Sequence, residues 1–147
     1  MQFINKQILF NLFLFSTLVL SSSLSASEGK KEMPTTVSGV ETITSDQLAT
    51  MLIENDDLIV IDARIKKGRS KGFIESSTHL ADVDTNCDTL AKVIPNKQRA
   101  VVFYCTSSKC GRSLNSVSIA LKCDYKKIYW FRDGFNVWKS SGYPFKK

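Results

Sequence analysis

The residues with the clearest chemical potential lie in one loop. An apolar run, Ala100–Tyr104, is followed by the sequence CTSSKCGRS, which covers Cys105 to Ser113. A loop of small residues between a buried strand and a helix start can turn its backbone N–H groups inward, and the helix dipole adds positive potential there. We therefore expect an anion-binding cradle after Cys105, with these substrate-binding members: Thr106, Ser107, Ser108, Lys109, Gly111, Arg112 and Ser113.

Cys105 heads this loop and is the candidate nucleophile. With Lys109 and Arg112 nearby, the pKa of its thiol should be depressed, so that the reactive thiolate is present near neutral pH. A terminal persulfide on the same sulfur would be an anion in the same cradle. The alternative interpretation of Cys105 is a small buried side chain that ends a strand. Arg112 could likewise be an ordinary surface residue in the first turn of a helix.

Cys110 is the second cysteine of the loop and the second candidate catalytic residue. It could act as a resolving thiol, pair in a disulfide, or simply fill the loop. A resolving role is chemically natural, because attack on a Cys105 persulfide or mixed disulfide would release the sulfur and leave a Cys105–Cys110 bond.

Continuous apolar runs predict the strands that must position this loop. They are Leu58–Ile61, Ala100–Tyr104 and Lys127–Phe131, and such runs suit strands buried on both faces of a parallel sheet. A helix is predicted from Ser45, and another opens near Gly111 with Leu114, Val117, Ala120 and Leu121 on one face. Strand, helix and strand in this order predict an α/β fold with helices on both faces of the sheet.

The first residues predict export. Lys6 precedes an apolar stretch, Ile8–Leu20, and small residues follow it, as in a secretory signal peptide. The stretch has 13 residues, fewer than the roughly 20 that span a bilayer, although an uncleaved membrane anchor is the alternative. We therefore expect a signal peptide at 1–27, a polar linker at 28–39 and one domain at 40–147. The protein would be periplasmic or secreted, with no membrane contact after cleavage.

The charge balance and the histidine and cysteine content indicate which partners and cofactors to expect. Only Lys6 of the 20 basic residues lies in the predicted leader, which leaves 19 basic against 14 acidic residues. This balance favours small anionic partners or a solvated basic surface, and no basic-aromatic stretch suggests nucleic acid. His79 is the only histidine and no CxxC pair occurs, so we expect neither a metal nor another cofactor. Cys87 and Cys123 are interpreted as ordinary thiols that could be paired, since four cysteines permit three connectivities.

Four segments in order resemble the rhodanese family. They are Ile61–Arg64, the Val101–Cys105 run into the loop, the Gly72–Ile74 segment, and the tail from Ile128 through Gly134 and Trp138 to Pro144. The glycine and isoleucine of Gly72–Ile74 match the family there. The tail is similar to the family's closing signature, in which a strand precedes a glycine-containing turn, a tryptophan and a Gly-x-Pro end.

The resemblance implies a five-stranded parallel sheet flanked by helices, with Cys105 carrying a persulfide. It implies a sulfurtransferase that takes sulfur from thiosulfate or another sulfane-sulfur compound and gives it to a thiophilic acceptor such as cyanide or a thiol, and the partner we expect is a thiol or an acceptor protein. Asp62 and Arg64 would hold the loop framework, and we expect a monomer. The loop departs from the usual pattern, because Arg112 comes seven residues after Cys105 and Cys110 lies between them. That resembles exported rhodanese-like proteins with a Cys-x4-Cys loop and casts doubt on thiosulfate:cyanide activity.

Two further functions compete with sulfur transfer. The first is a dithiol–disulfide oxidoreductase that uses Cys105 and Cys110, although four intervening residues differ from the two of thioredoxin-like motifs. The second is a non-catalytic binding module whose loop cysteines form a structural disulfide. A persulfide, a reversible dithiol and a permanent disulfide differ in mass and in their response to reductant, so the three hypotheses are separable.

Overall fold

The computed structural model describes residues 33–147, which fold into alternating strands and helices. The strands are β1 (Glu41–Thr42), β2 (Ile59–Asp62), β3 (Phe73–Ile74), β4 (Ser77–His79), β5 (Ala100–Tyr104), β6 (Lys127–Phe131) and β7 (Phe145–Lys146). The helices are α1 (Ser45–Glu54), α2 (Lys66–Arg69), α3 (Cys87–Val93), α4 (Arg112–Lys122) and α5 (Gly134–Ser140), with a 3-10 turn at Asp82–Asp84. The predicted signal peptide lies outside the described residues.

The main sheet has five parallel strands in the order β1-β6-β5-β2-β4. β5 lies at its centre, where Val101 pairs with Ile59 on one side and Ile128 on the other. The predicted α/β fold with a five-stranded parallel sheet is therefore confirmed. The short strands β3 and β7 form a separate antiparallel pair.

Side chains of β5 point alternately to the two faces of the sheet and contribute to the core on each face. Val101 and Phe103 pack with residues of α3 and α4, whereas Val102 and Tyr104 pack with residues of α1 and α5. Successive strand side chains point to opposite faces of a sheet, so a run of apolar residues is needed where both faces are covered. The consequence for the site is that Tyr104, and the chain that leaves it, are fixed between two buried layers.

Helix α1 begins where the sequence predicted, but its cap is one residue earlier. Thr44 accepts a hydrogen bond from the Gln47 N–H, and the Gln47 side chain accepts one from the Thr44 N–H. This reciprocal pair is a capping box, which satisfies two N–H groups that the helix itself leaves without partners. Ser45 is therefore the first helical residue, as predicted, and Thr44 is the cap.

The described part of the predicted linker contacts the domain. The Arg132 guanidinium donates to the carbonyl oxygens of Pro34, at 2.8 Å, and Met33, at 3.3 Å. Val37 and Val40 form an isolated antiparallel bridge. Among residues 33–147 no helix has the length and apolar character needed to cross a membrane.

Cys87 and Cys123 form a disulfide, which settles a pairing that the sequence left open. The bond joins the first residue of α3 to the residue that caps the end of α4. It closes a stretch of 36 residues and therefore restricts the unfolded chain substantially. Its position on the α3–α4 side ties together the two helices that cover one face of the sheet.

Replacing both Cys87 and Cys123 with Ser should lower the free energy of unfolding by about 4 kcal/mol, the chain-entropy value for a loop of this length. Urea unfolding of the wild type and the double variant, each with and without reductant, measures this. The variant's remaining sensitivity to reductant reports the Cys105–Cys110 bond separately. Equal stability of the oxidised wild type and the oxidised variant would show that the bond does not restrain the unfolded chain.

Candidate functional site

Cys105 is the first residue after β5 and is 0% exposed. The strand end is fixed because the Tyr104 carbonyl accepts a hydrogen bond from the Ala63 N–H at 3.0 Å. The next two carbonyls are held from the other side: Cys105 accepts from the Phe135 N–H at 2.8 Å, and Thr106 accepts from the Asn136 N–H at 3.0 Å. The start of the loop is thus clamped between the end of β2 and the first turn of α5.

Gly134 makes this clamp possible. Its φ of +71° lies in the left-handed region, where glycine has no steric penalty. A Cβ at this position would lie 2.6 Å from the Cys105 carbonyl oxygen and 2.9 Å from the Ser107 nitrogen. Both the backbone conformation and the close approach therefore require glycine where α5 meets the loop.

The loop folds back so that its two cysteines meet. The Cys110 N–H donates to the Ser107 carbonyl at 2.9 Å, which closes a turn, and Cys105 and Cys110 form a disulfide. Of the roles that the sequence left open for Cys110, the structure therefore shows a disulfide partner, which is also the bond that a resolving thiol would form. The two sulfurs differ in access, because Cys110 is partly exposed whereas Cys105 is buried.

The amino end of α4 has no side-chain cap. Gly111 occupies the N-cap position, and no side chain accepts from the first N–H groups of the helix. Such groups carry partial positive charge and are available to an anion. They lie directly after Cys110, so a negative charge on either loop sulfur would be close to the positive end of the helix dipole.

The predicted binding residues divide by where their side chains lie. Lys109 and Gly111 are exposed, and Thr106, Ser107 and Ser108 are partly buried in the loop. The Arg112 guanidinium is bound by Asp82 at 2.6 Å, in a half-exposed ion pair. Ser113 is 1% exposed, and its hydroxyl accepts a hydrogen bond from the Trp130 indole at 2.9 Å. The side chain of Ser113 thus belongs to the core, which leaves its backbone N–H as the group nearest the loop.

Asp62 and Arg64 form a buried ion pair at the end of β2. Arg64 Nη2 lies 2.7 Å from Asp62 Oδ2, and Nε lies 2.8 Å from Oδ1. Burial disfavours the charged carboxylate, but the hydrogen bonds and positive charge of Arg64 outweigh it and hold the pKa of Asp62 below its ordinary value. Arg69 adds a second cation to the same carboxylate at 3.1 Å.

Arg64 connects Asp62 to the loop through Phe135. Its guanidinium lies over the Phe135 ring, 4.5 Å from the centroid, and Phe135 provides the N–H that holds the Cys105 carbonyl. Nη2 also donates to the Gly72 carbonyl at 2.8 Å, while His79 Nε2 donates to the carbonyl of Arg64 at 2.7 Å. The predicted framework residues and the predicted loop residues are therefore connected through α5.

The sequence patterns did not predict the roles of Tyr104, Ser77, Asp82 and Arg69 in this framework. Tyr104 bonds to Ser77, 3.0 Å between hydroxyl oxygens, and accepts from the Ile74 N–H. Burial and the nearby Asp62 carboxylate raise the pKa of Tyr104 well above its ordinary value, so the phenol stays neutral. Asp82 and Arg69 are the other additions. A polar Tyr at the last position of an otherwise aliphatic strand is the signal that could have indicated a buried hydroxyl network.

Comparison with known proteins agrees with this arrangement. A family model described as a rhodanese-like domain matches residues 44–141. The BH2092 protein of Bacillus halodurans has a similar structure, with a TM-score of 0.65 at 14% identity, and the match covers 72% of this chain and 76% of that one. No curated protein sequence matches the chain.

Two further solved structures are similar. A thiosulfate sulfurtransferase from Pseudomonas aeruginosa gives a TM-score of 0.64 at 13% identity over 73% of this chain, which spans only 20% of that larger chain. A rhodanese-like domain from an Anabaena protein gives 0.62 at 17% identity, covering 71% of this chain and 77% of the other. At these identities the structural similarities establish the fold. Within residues 33–147 no cluster of three or more potential ligands could hold a metal ion.

Replacing Gly134 with Ala should displace the loop and destabilise the protein by about 1–3 kcal/mol, the usual penalty of forced left-handed backbone, with the steric clash adding to it. Gly142 is the matched control, because its φ is +82° but no atom lies within 4 Å of the added Cβ. Urea unfolding and the alkylation rate of the reduced loop cysteines report the two effects. Gly142→Ala should lose stability alone, so identical alkylation rates in the two variants would contradict the clamp.

Replacing Asp62 with Asn should lower the free energy of unfolding by about 3–5 kcal/mol, because it leaves the buried Arg64 charge without its partner. The pKa of Asp62 is depressed in the folded state, so its contribution is complete above the unfolded pKa of about 4 and is lost as pH falls below it. The variant should therefore have a flatter acid limb in a stability-against-pH profile. Asp57→Asn, in an exposed pair with Arg99, is the control and should change little. Parallel acid limbs in wild type and Asp62→Asn would contradict the assignment.

Proposed function

Because this chain belongs to the rhodanese-like family, we propose that it is a sulfurtransferase, or persulfide carrier, that moves sulfane sulfur through Cys105. One observation carries the proposal. Cys105 directly follows the central strand, with its backbone held on both sides, and the uncapped amino end of α4 follows its loop. This is an environment in which a sulfur anion is stabilised by fixed backbone dipoles.

The first step is opening of the Cys105–Cys110 disulfide. Two equivalents of an external thiol reduce it: the first forms a mixed disulfide with one cysteine and frees the other, and the second releases the external disulfide. The cysteines gain two electrons and the external thiols lose two. Cys105 is then available as the nucleophilic thiolate.

Loading follows by attack of the Cys105 thiolate on the outer sulfur of an anionic donor such as thiosulfate. The Cys–S bond forms as the S–S bond of the donor breaks, and sulfite leaves with the bonding electron pair. The product is a Cys105 persulfide anion in the loop. The N–H groups at the start of α4 and the exposed Lys109 are the stabilising groups, since Asp82 already neutralises part of the Arg112 charge.

Release can take two routes from the persulfide. An acceptor thiol can attack the outer sulfur and leave with it, which regenerates the Cys105 thiol. Alternatively, the Cys110 thiolate attacks the inner sulfur, hydrosulfide leaves, and the Cys105–Cys110 disulfide forms again. That the two cysteines are within bonding reach supports the second route. Export to an oxidising compartment, the periplasm or the exterior, is part of the proposal and agrees with two disulfides in one small domain.

The Cys105–Cys110 bond also favours a second candidate function, dithiol–disulfide exchange with a partner protein. In that reaction the pair would cycle between disulfide and dithiol without carrying sulfur. The four residues between the cysteines distinguish this loop from the two-residue spacing of thioredoxin-like motifs. A permanently oxidised loop in a non-catalytic module is the third possibility, and resistance to reductant would distinguish it.

After reduction and incubation with thiosulfate, the wild type should gain the mass of one sulfur atom on the peptide that contains Cys105. Cys105→Ser should abolish this gain, because no other thiolate occupies the end of β5. Cys110→Ser should still load and should hold the persulfide longer, since internal attack is removed. Mass spectrometry of the digested protein over time measures both effects.

Three outcomes would overturn parts of this assignment. Loading on Cys110 in the Cys105→Ser variant, together with none in Cys110→Ser, would exchange the two roles. Loss of two hydrogens in the wild type, together with no sulfur gain in Cys110→Ser, would favour the oxidoreductase. If the loop disulfide resists reductant under native conditions, the binding module is the correct interpretation.

A further inference from the structure

Exposed apolar side chains concentrate around the Cys105–Cys110 loop. Among the described residues the large exposed ones are Ile53, Ile65, Val83 and Val137. Ile53 is on α1, which runs back toward the amino ends of the strands. The other three follow the carboxyl ends of β2, β4 and β6, the edge of the sheet from which the loop also leaves.

Each of these three side chains is next to a residue that holds the loop. Val83, 71% exposed, follows Asp82, which binds Arg112. Val137 follows Asn136, whose N–H donates to the Thr106 carbonyl. Ile65 follows Arg64, which lies over Phe135, and the Asp82 N–H donates to the Ala63 carbonyl nearby. These three apolar residues therefore lie in segments that contact the loop or its supporting residues, at one edge of the sheet.

The charge on the α2 side of this edge is positive, whereas Asp84, next to Val83, and Asp133, just before α5, are acidic residues at the same edge. Lys66, Lys67 and Lys71 are exposed on α2 and just beyond it, and Lys109 is exposed in the loop. No acidic residue occurs between Asp62 and Glu75, or between Asp88 and Asp124. The α2 lysines have no ion-pair partner among residues 33–147, whereas nearby Arg69 is already bound to Asp62.

The reactive group at the centre of this surface defines what chemistry a partner needs. Cys110 is the partly exposed residue of the disulfide and Cys105 is wholly buried, so we expect an incoming thiolate to reach Cys110 first. That attack forms a mixed disulfide on Cys110 and expels Cys105 as a thiolate, at the positive end of α4. A surface with apolar and basic groups contributes nothing to a small neutral thiol, but it can bind the surface on which a protein thiol is carried.

We propose that the rim formed by Ile65, Lys66, Lys67, Val83 and Val137 is the docking surface for a thiol protein. The partner carries its reactive cysteine on an acidic, apolar-edged surface and delivers it to Cys110. The exposed lysines of α2 favour a partner with an acidic surface, and reaction with the Cys105–Cys110 disulfide requires that the partner carry a thiol. The inference rests on the proposed function, since the same partner either reopens the loop or receives its sulfur.

The test measures how fast the oxidised protein forms the mixed disulfide with two synthetic peptides, each with one cysteine. One peptide has Glu and Leu around the cysteine, the other has Lys in place of each Glu, and 2-mercaptoethanol is the small neutral reference. Lys66→Gln/Lys67→Gln is compared with Lys92→Gln/Lys122→Gln, whose exposed lysines lie near the carboxyl ends of α3 and α4, at the opposite edge. Each peptide is compared with itself across variants, which cancels differences in peptide thiol pKa.

Rates of mixed-disulfide formation are divided by the rate with 2-mercaptoethanol for the same protein. On this scale the acidic peptide should react about tenfold more slowly with Lys66→Gln/Lys67→Gln than with the wild type, which is the lower end of the range for electrostatic steering. The Lys92→Gln/Lys122→Gln protein should match the wild type. At 1 M salt, where the Debye length is about 3 Å, the difference should vanish. Ile65→Ser/Val83→Ser should also slow the acidic peptide, but without dependence on salt. Digestion should locate the first mixed disulfide on Cys110.

Equal normalised rates for the acidic peptide in all variants would overturn the proposal, as would a first mixed disulfide on Cys105. A third contrary outcome concerns membranes. If the wild type binds phosphatidylglycerol vesicles, Lys66→Gln/Lys67→Gln does not, and the peptide rates stay equal, the rim binds a membrane and not a thiol protein. Thiosulfate loading of Cys105 is measured separately. If loading succeeds and docking fails, only the docking surface is wrong, and if loading fails while the peptides discriminate, the sulfurtransferase proposal is wrong.

Discussion

The buried ion pair of Asp62 and Arg64 is the constraint on which the site depends. Both side chains are almost wholly removed from water, and an ion pair in such a place is stable only when its remaining hydrogen-bonding groups are satisfied. Here Arg69 completes the carboxylate, while the carbonyls of Gly68 and Gly72 complete the guanidinium. Satisfying the pair therefore fixes the backbone from β2 through α2 to the start of β3.

That fixed region holds the reactive loop without touching its sulfurs. Arg64 packs on Phe135, and the first turn of α5 then clamps the carbonyls of Cys105 and Thr106. Gly134 allows the approach because it presents no side chain to the loop backbone. The framework bonds to carbonyl groups of the loop, whereas the N–H groups at the start of α4 have no side-chain cap and are the groups that the proposed function uses. Structural hydrogen bonds and anion stabilisation thus draw on different atoms of one short segment.

The elements that could be predicted are those with a local cause. The predicted runs Ala100–Tyr104 and Lys127–Phe131 match β5 and β6, and Leu58–Ile61 overlaps β2 with a shift of one residue, because burial on both faces of a sheet requires continuous apolar residues. The short strands β1, β3, β4 and β7 have two or three residues each and no continuous apolar run. They are recognised only by their backbone pairing with a neighbouring strand. The position of Cys105 at the end of a strand followed from the same local pattern.

Features that depend on distant partners could not be predicted. Asp82 pairs with Arg112 across 30 residues, and Tyr104 meets Ser77 across 27, so no spacing in the sequence marks either contact. The cysteine pairings have the same character, because composition permits three connectivities and only the fold brings Cys87 to Cys123. Ser113 shows the same dependence on a distant residue. Its position at the end of the loop was predicted, but its hydroxyl accepts a hydrogen bond from Trp130, which the sequence does not indicate.

The unequal burial of the two loop sulfurs gives the chemistry a direction. In the proposed reaction an external thiol would meet Cys110 and expel Cys105, which is the buried cysteine and lies in the loop before the uncapped amino end of α4. In thiol–disulfide exchange the sulfur that is more stable as a thiolate is the better leaving group. In the proposed cycle, the electrostatics that would make Cys105 a nucleophile toward a sulfur donor would therefore also make it the leaving group when the disulfide is opened. The unequal burial of the two residues would then order the cycle, with Cys110 meeting the partner thiol and Cys105 meeting the sulfur donor.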